Sequence, residues 1–125
     1  MYVNTKTAGD IAITAAEGGI GYWSVIDEYK PSRWTVSEGY YSANLKVSRD
    51  FVFYTVREDA GNGLLTDPGL VVTPKVIQRG VDLFLAGVPD NFEARFFADR
   101  DLSMMDAAEA DSVVQLGLFG KLVYG

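Results

Sequence analysis

The residues best equipped for chemistry fall in one stretch, Ala15 to Tyr29, "AAEGGIGYWSVIDEY". It carries a carboxylate at Glu17, the glycines Gly18 and Gly19, and the aromatic pair Tyr22 and Trp23. Glycine lets a backbone or a ligand approach closely, and a phenol or indole beside it offers a stacking face. Arg57, on a segment expected to pair with this one, would add positive charge for an anionic ligand. Glu17, Gly18, Gly19, Tyr22, Trp23 and Arg57 are therefore the candidate ligand-binding residues. The competing reading is architectural: a helix ends at the glycines, a strand begins at Tyr22, and Trp23 is a core residue.

The order of elements argues against a phosphate cradle. Glycine-rich phosphate loops precede a helix and aim its first amides at the phosphate. Here "EGGIG" follows a helical stretch, and no Lys-Ser or Lys-Thr pair comes after it. The chain has neither histidine nor cysteine, which removes the commonest general base, the commonest zinc ligand, thiolate sites and disulfides. Asp99, Asp101, Asp106, Glu109 and Asp111 are donors of the kind a hard cation takes. However, "DRDLSMMDAAE" lacks the EF-hand spacing, and acids at a helix start are favoured there by the helix dipole and by solvent. No catalytic residue, metal site or cofactor is expected, and the chain reads as a non-enzymatic binding protein.

A net charge of −6 over 125 residues disfavours direct nucleic-acid binding, because that affinity rests on neutralising phosphates with Lys and Arg. The sharper use of acidity, mimicry of DNA toward a DNA-binding enzyme, needs carboxylates arrayed on one face; Asp99 to Asp111 is the candidate segment. No apolar run approaches the roughly 20 residues of a membrane span. The first residues lack the basic-then-apolar order of a signal peptide. A cytoplasmic protein without a membrane partner is the expectation.

These residues need elements to hold them. Ala8 to Glu17 has helical spacing, with Thr7 or Asp10 as possible caps and Gly18-Gly19 as the stop. Tyr22–Tyr29 alternates as a strand, with Tyr22, Ser24, Ile26 and Glu28 on one face and Trp23, Val25, Asp27 and Tyr29 on the other. "DFVFYTVRED" is the clearest strand, and Phe51–Glu58 is expected to pair with Tyr22–Tyr29. "YYSANLKV" alternates as an edge strand, "LLTDPGLVV" reads as a connection, and "NFEARFFADRD" reads as extended. Pro74–Ala86 is a helix capped by Thr73, opened by Pro74 and stopped by Gly87. Its apolar stripe is Val76, Ile77, Val81, Phe84 and Leu85. Ala107–Phe119 opens on Asp106 with Glu109 three residues on, a capping-box spacing, and is apolar nearly all round, so it should be central. Gly117 and Gly120 weaken it by about 1 kcal/mol each relative to alanine, which close approach of another element would explain. The whole is a single α+β domain, residues 1–125: a small antiparallel sheet of two to four strands packed against about three helices.

The two ends, "ITAAEGGIGYW" and "DAAEADSVVQLGLFGKLVYG", with "VTPKVIQRGVDLFL" between them, resemble small proteins encoded by bacteriophages, particularly those of actinobacteria. The resemblance covers about half of the chain and implies a source rather than a mechanism. A phage source favours an accessory protein that acts by binding in the host cytoplasm, and one of two open classes is counter-defence by sequestering a small anionic or nucleotide signal. The alternative partner is a host protein, with this chain as its inhibitor or regulator. A homodimer is expected, because the apolar Val113–Phe119 helix and the aromatic sheet together offer more adhesive surface than one thin layer covers.

Overall fold

The computed structural model describes residues 2–34, 49–59, 69–87 and 102–125. Among the described residues it is an α+β fold of three α-helices and a three-stranded antiparallel sheet: α1 (Thr5–Gly18), β1 (Ser24–Asp27), β2 (Tyr54–Glu58), β3 (Leu70–Val72), α2 (Pro74–Leu85) and α3 (Ala107–Phe119). The expected segments 40–47 and 91–101, with the turn residues 60–63 and 67–68, lie outside the described residues.

Helix α1 starts earlier than its apolar spacing suggests. Asn4, rather than Thr7 or Asp10, is the cap, and its side-chain oxygen accepts from the Thr7 amide at 2.8 Å. At the other end Gly19 stays right-handed, at φ −109° and ψ −57°. Its glycine character therefore answers to packing rather than to a left-handed turn. A Cβ on Gly19 would lie 2.6 Å from the Ala107 carbonyl oxygen, so the end of α1 rests directly on the start of α3.

The strand order is β1-β2-β3, with Ser24 opposite Glu58 and Tyr54 opposite Val72. The expected pairing is present, but both strands are shorter than the alternation implied. At the start of β1, the amides of Trp23 and Ser24 both bond to the Ile20 carbonyl, so Tyr22 and Trp23 belong to a turn. Trp23 and Ser24 consequently both point inward, where strict alternation would part them. At the other end Glu28 takes φ 54°, a left-handed conformation that ends the strand and turns Tyr29 back toward Trp34 and Tyr54. Leu70–Val72, expected to be connection, is instead the third strand; three residues are too few for a period to register.

Helices α2 and α3 form the most extensive packing in the fold. Thr73 caps α2 and Pro74 opens it, as expected, and Gly87 follows its end at φ +79°. Asp106 and Glu109 make a complete capping box on α3. Ile77, Val81 and Phe84 of α2 meet Val113, Val114 and Leu116 of α3 in a core that also takes Ile11 of α1 and Val56 and Val72 of the sheet. The Tyr54 hydroxyl donates to the Ala12 carbonyl at 2.7 Å, tying β2 to α1. Gly117 is in α3 because a Cβ there would overlap the Val76 carbonyl, which is the close approach its position implied. Gly120 has another role: at φ +76° it is the left-handed cap of α3. Val113 to Gly117 of α3 and the aromatics Trp23, Trp34, Phe53 and Tyr54 are buried within one chain, while Leu118 and Phe119 stay half-buried and Val25, Val52 and Val71 are exposed.

Candidate functional site

The region of interest is assembled from three chain segments. The first is the α1–β1 turn. Gly19 and Ile20 amides share the Ala15 carbonyl, and Ser24 Oγ adds a third donor to the Ile20 carbonyl at 2.8 Å. With Ile20 fully buried as its anchor, this turn drives Trp23 inward and leaves the Tyr22 ring in solvent, 59% exposed.

The second segment is the first half of α3. The capping box fixes where the helix starts, and Asp111 and Gln115, four residues apart, lie on one helical face. Both are buried, in a helix otherwise rich in apolar residues, and buried polar groups need partners. Asp111 has three. Its Oδ1 accepts from Trp23 Nε1 at 2.8 Å and from Gln115 Nε2 at 2.9 Å, and its Oδ2 accepts from the Tyr22 hydroxyl at 2.7 Å. Burial of the hydroxyl end, followed by its bond to the Asp111 carboxylate, pushes the Tyr22 pKa up to about 12. The ring is exposed while the hydroxyl is turned inward, so exposure and desolvation coexist in one side chain.

The third segment is the stretch after α3. Gln115 Oε1 accepts from the amides of Val123 and Tyr124, at 2.9 and 2.8 Å, while its Nε2 donates to the Tyr124 carbonyl at 3.2 Å. The Tyr124 ring stacks on Trp23, with centroids 5.0 Å apart and planes 5° from parallel. Its hydroxyl donates to Glu58 Oε1, a bond that raises its pKa before any effect of burial. One buried amide thus docks the last residues over the indole.

Between these segments lies a cleft of about 830 Å³, lined by Gly18, Gly19, Tyr22, Ala107, Ala108, Asp111 and Ser112, and by residues 122–125. Three of the candidate residues, Gly18, Gly19 and Tyr22, meet there. Trp23 does not reach it: at 1% exposure, sealed by Tyr124 and Phe119, it shows no ring face to a ligand. Glu17 stands beside the cleft and accepts from the Tyr29 hydroxyl at 2.9 Å, which offsets a carboxylate at the negative end of α1. That bond, after burial, raises the Tyr29 pKa. Arg57 is elsewhere, on the outer face of the sheet, in a two-pronged pair with Asp27 at 2.8 and 2.9 Å. None of the described residues lining the cleft is a Lys or Arg.

Comparison with protein-family models, with curated proteins and with solved structures returned no match.

Of the described acids in the candidate segment Asp99 to Asp111, Asp106 is exposed, while Glu109 and Asp111 are buried. Glu109 closes the capping box, and Asp111 turns inward to Tyr22 and Trp23. Asp99 and Asp101 lie outside the described residues. Among the described residues no cluster of three carboxylates is arranged to hold a metal ion, and no helix is long and apolar enough to cross a membrane. Sequence reasoning missed Gln115, which organises much of this region. The signal was available: a single glutamine inside "SVVQLGLF" sits in a run too apolar for it to face water.

Proposed function

We propose that this chain is a binding protein that holds a small ligand in the cleft between α1, α3 and the final residues, without transforming it. The observation that carries the reading is the preorganised Tyr22. Its ring lies open at the cleft while its hydroxyl is fixed by Asp111 and, at 3.3 Å, by Gln115. A ring held in place before binding loses little freedom when a ligand stacks on it. The cleft volume falls in the range of small-molecule sites, on the order of 300–1,000 Å³. Gly18, exposed at its rim, leaves backbone within a ligand's reach.

The resemblance to small bacteriophage proteins gives this reading its setting: sequestration of a host small molecule in the host cytoplasm, as counter-defence. A phosphorylated signal would need a cation that the described lining lacks, so the reading rests on small-molecule capture and not on Arg57. It is tested by purifying the protein and its Tyr22→Ala variant from the same producing cells and identifying released small molecules by mass spectrometry. A compound retained by the parent and lost from the variant supports the proposal. Equal retention, or none in either, overturns it.

A further inference from the structure

We infer that the cleft selects an organic cation, a small ammonium compound carrying an apolar or aromatic body, over an anion of the same shape; this rests on the small-ligand reading above. Four observations point the same way. The ionisable side chains lining the cleft within the described residues are Tyr22, Tyr124 and Asp111, and of these only the Asp111 carboxylate is charged near neutral pH. The Tyr22 hydroxyl spends its proton on Asp111, so toward a ligand it can only accept a hydrogen bond. Asp111 Oδ2 takes one donor and keeps acceptor capacity, and both groups therefore ask the ligand for N–H. Finally, the exposed phenol face supplies the quadrupole to which an ammonium group is drawn.

The start of α3 also borders the cleft, and a helix start ordinarily favours anions. Here that preference is already answered. Asp106 and Glu109 bond to the first-turn backbone, and Asp111 stands one turn further in. The glycine end of α1 contributes the opposite pole: Gly18 and Gly19 line the cleft, and no basic residue occupies the last turn of that helix.

Three probes of one shape test this: benzylammonium, benzyl alcohol and benzoate, titrated into the 15N-labelled protein. Benzylammonium is expected to shift the amides of Gly18, Gly19, Tyr22 and Ser112 and to bind about tenfold tighter than either partner probe, with added salt weakening it. Asp111→Asn should bring the three probes to parity. Because that change touches a buried network, Tyr22→Leu is the second variant, and it should weaken benzylammonium several-fold in a protein whose other amides are unmoved. If benzoate or benzyl alcohol shifts those amides with equal or greater affinity, cation selection is overturned while small-ligand binding stands. If none of the three shifts them, both fall.

Discussion

Among the described residues, two places bring helix backbones close together through glycine, and they come to different ends. At the α2–α3 crossing, a Cβ on Gly80 would overlap the Val113 carbonyl and one on Gly117 the Val76 carbonyl. The contact is reciprocal, and large side chains on every side, Ile77, Val81, Phe84, Val114 and Leu116, seal it. At the α1–α3 junction, Gly19 rests on Ala107 and Gly18 lies 3.2 Å, measured from its would-be Cβ, from the Ala107 methyl. There the neighbours are alanines, a serine and a tyrosine that leans outward, so the same close approach leaves a cleft. Glycine sets how near two backbones come. The size of the surrounding side chains sets whether that nearness becomes core or site.

The largest effect that would sharpen this contrast is alkaline, because the groups with raised pKa values, Tyr22, Tyr29, Tyr54 and Tyr124, lie on α1's neighbours, the sheet and the tail, away from the α2–α3 crossing. Each holds its proton more tightly folded than unfolded, where tyrosine titrates near pH 10. The stability they contribute is therefore intact below about pH 10 and is lost as pH rises through about 12 and beyond. Circular dichroism should show unfolding in that window, together with tyrosinate absorbance. Ionisation of these four tyrosines near pH 10 in a protein still folded would contradict the network.

Next in size is the floor beneath the cleft. Trp23→Ala removes a buried indole, the stack under Tyr124 and a donor to Asp111, and should cost about 3–5 kcal/mol in urea denaturation. Tyr22→Ala, which takes away an exposed ring and one of the three donors to the buried Asp111 carboxylate, should cost less, about 1–2 kcal/mol. If the two costs were equal, the division between floor and open face would be wrong.

Gly117→Ala tests the sealed crossing. Alanine improves helix propensity by about 1 kcal/mol, but its methyl meets backbone that cannot turn aside, and overpacking of this kind costs about 1–3 kcal/mol or more. Net destabilisation is expected, and Gly80→Ala should behave alike. The double variant should cost less than the sum, since one separation of the helices relieves both clashes. A stabilised Gly117→Ala would show that the crossing is not closed.

Smallest is the open junction. Gly19→Ala should cost about 1–2 kcal/mol, because its methyl meets the Ala107 carbonyl. Gly21→Ala, with nothing within 4 Å of its would-be Cβ, should change stability by no more than about 0.5 kcal/mol. Thermal melts of the two side by side distinguish a packed glycine from a solvent-facing one.

The starts of α2 and α3 were the most legible part of this fold, whereas the Asn4 cap of α1 was not read. Thr73-Pro74 and the Asp106/Glu109 box are read correctly because a cap is an agreement among groups three or four residues apart. The strands were legible as a pair but not in extent. One carbonyl, that of Ile20, takes both the Trp23 and Ser24 amides, and no alternation pattern reports such a turn. Of the site, Gly18, Gly19 and Tyr22 were legible because glycines beside an aromatic mark a place where backbone is approachable. Arg57 was misplaced because period-two alternation says which residues share a face, not which face the helices cover. Gly80 passed unnoticed inside a well-formed helical stripe, although a glycine mid-helix costs stability and so asks for a packing reason.

The sequence by itself determined the α+β class, the positions of the three helices, the β1–β2 pairing and a helix α3 too apolar to be anything but central. Each of these follows from local spacing or from composition, and neither needs to know what lies across the molecule. Only the tertiary structure decided that Trp23 is floor rather than face, that α3 spends Asp111 on a tyrosine and an indole far away in the chain, and that Gln115 fastens the last residues over them. Those outcomes depend on which groups a buried polar side chain finds when water is excluded, and the partners here come from segments joined only by folding.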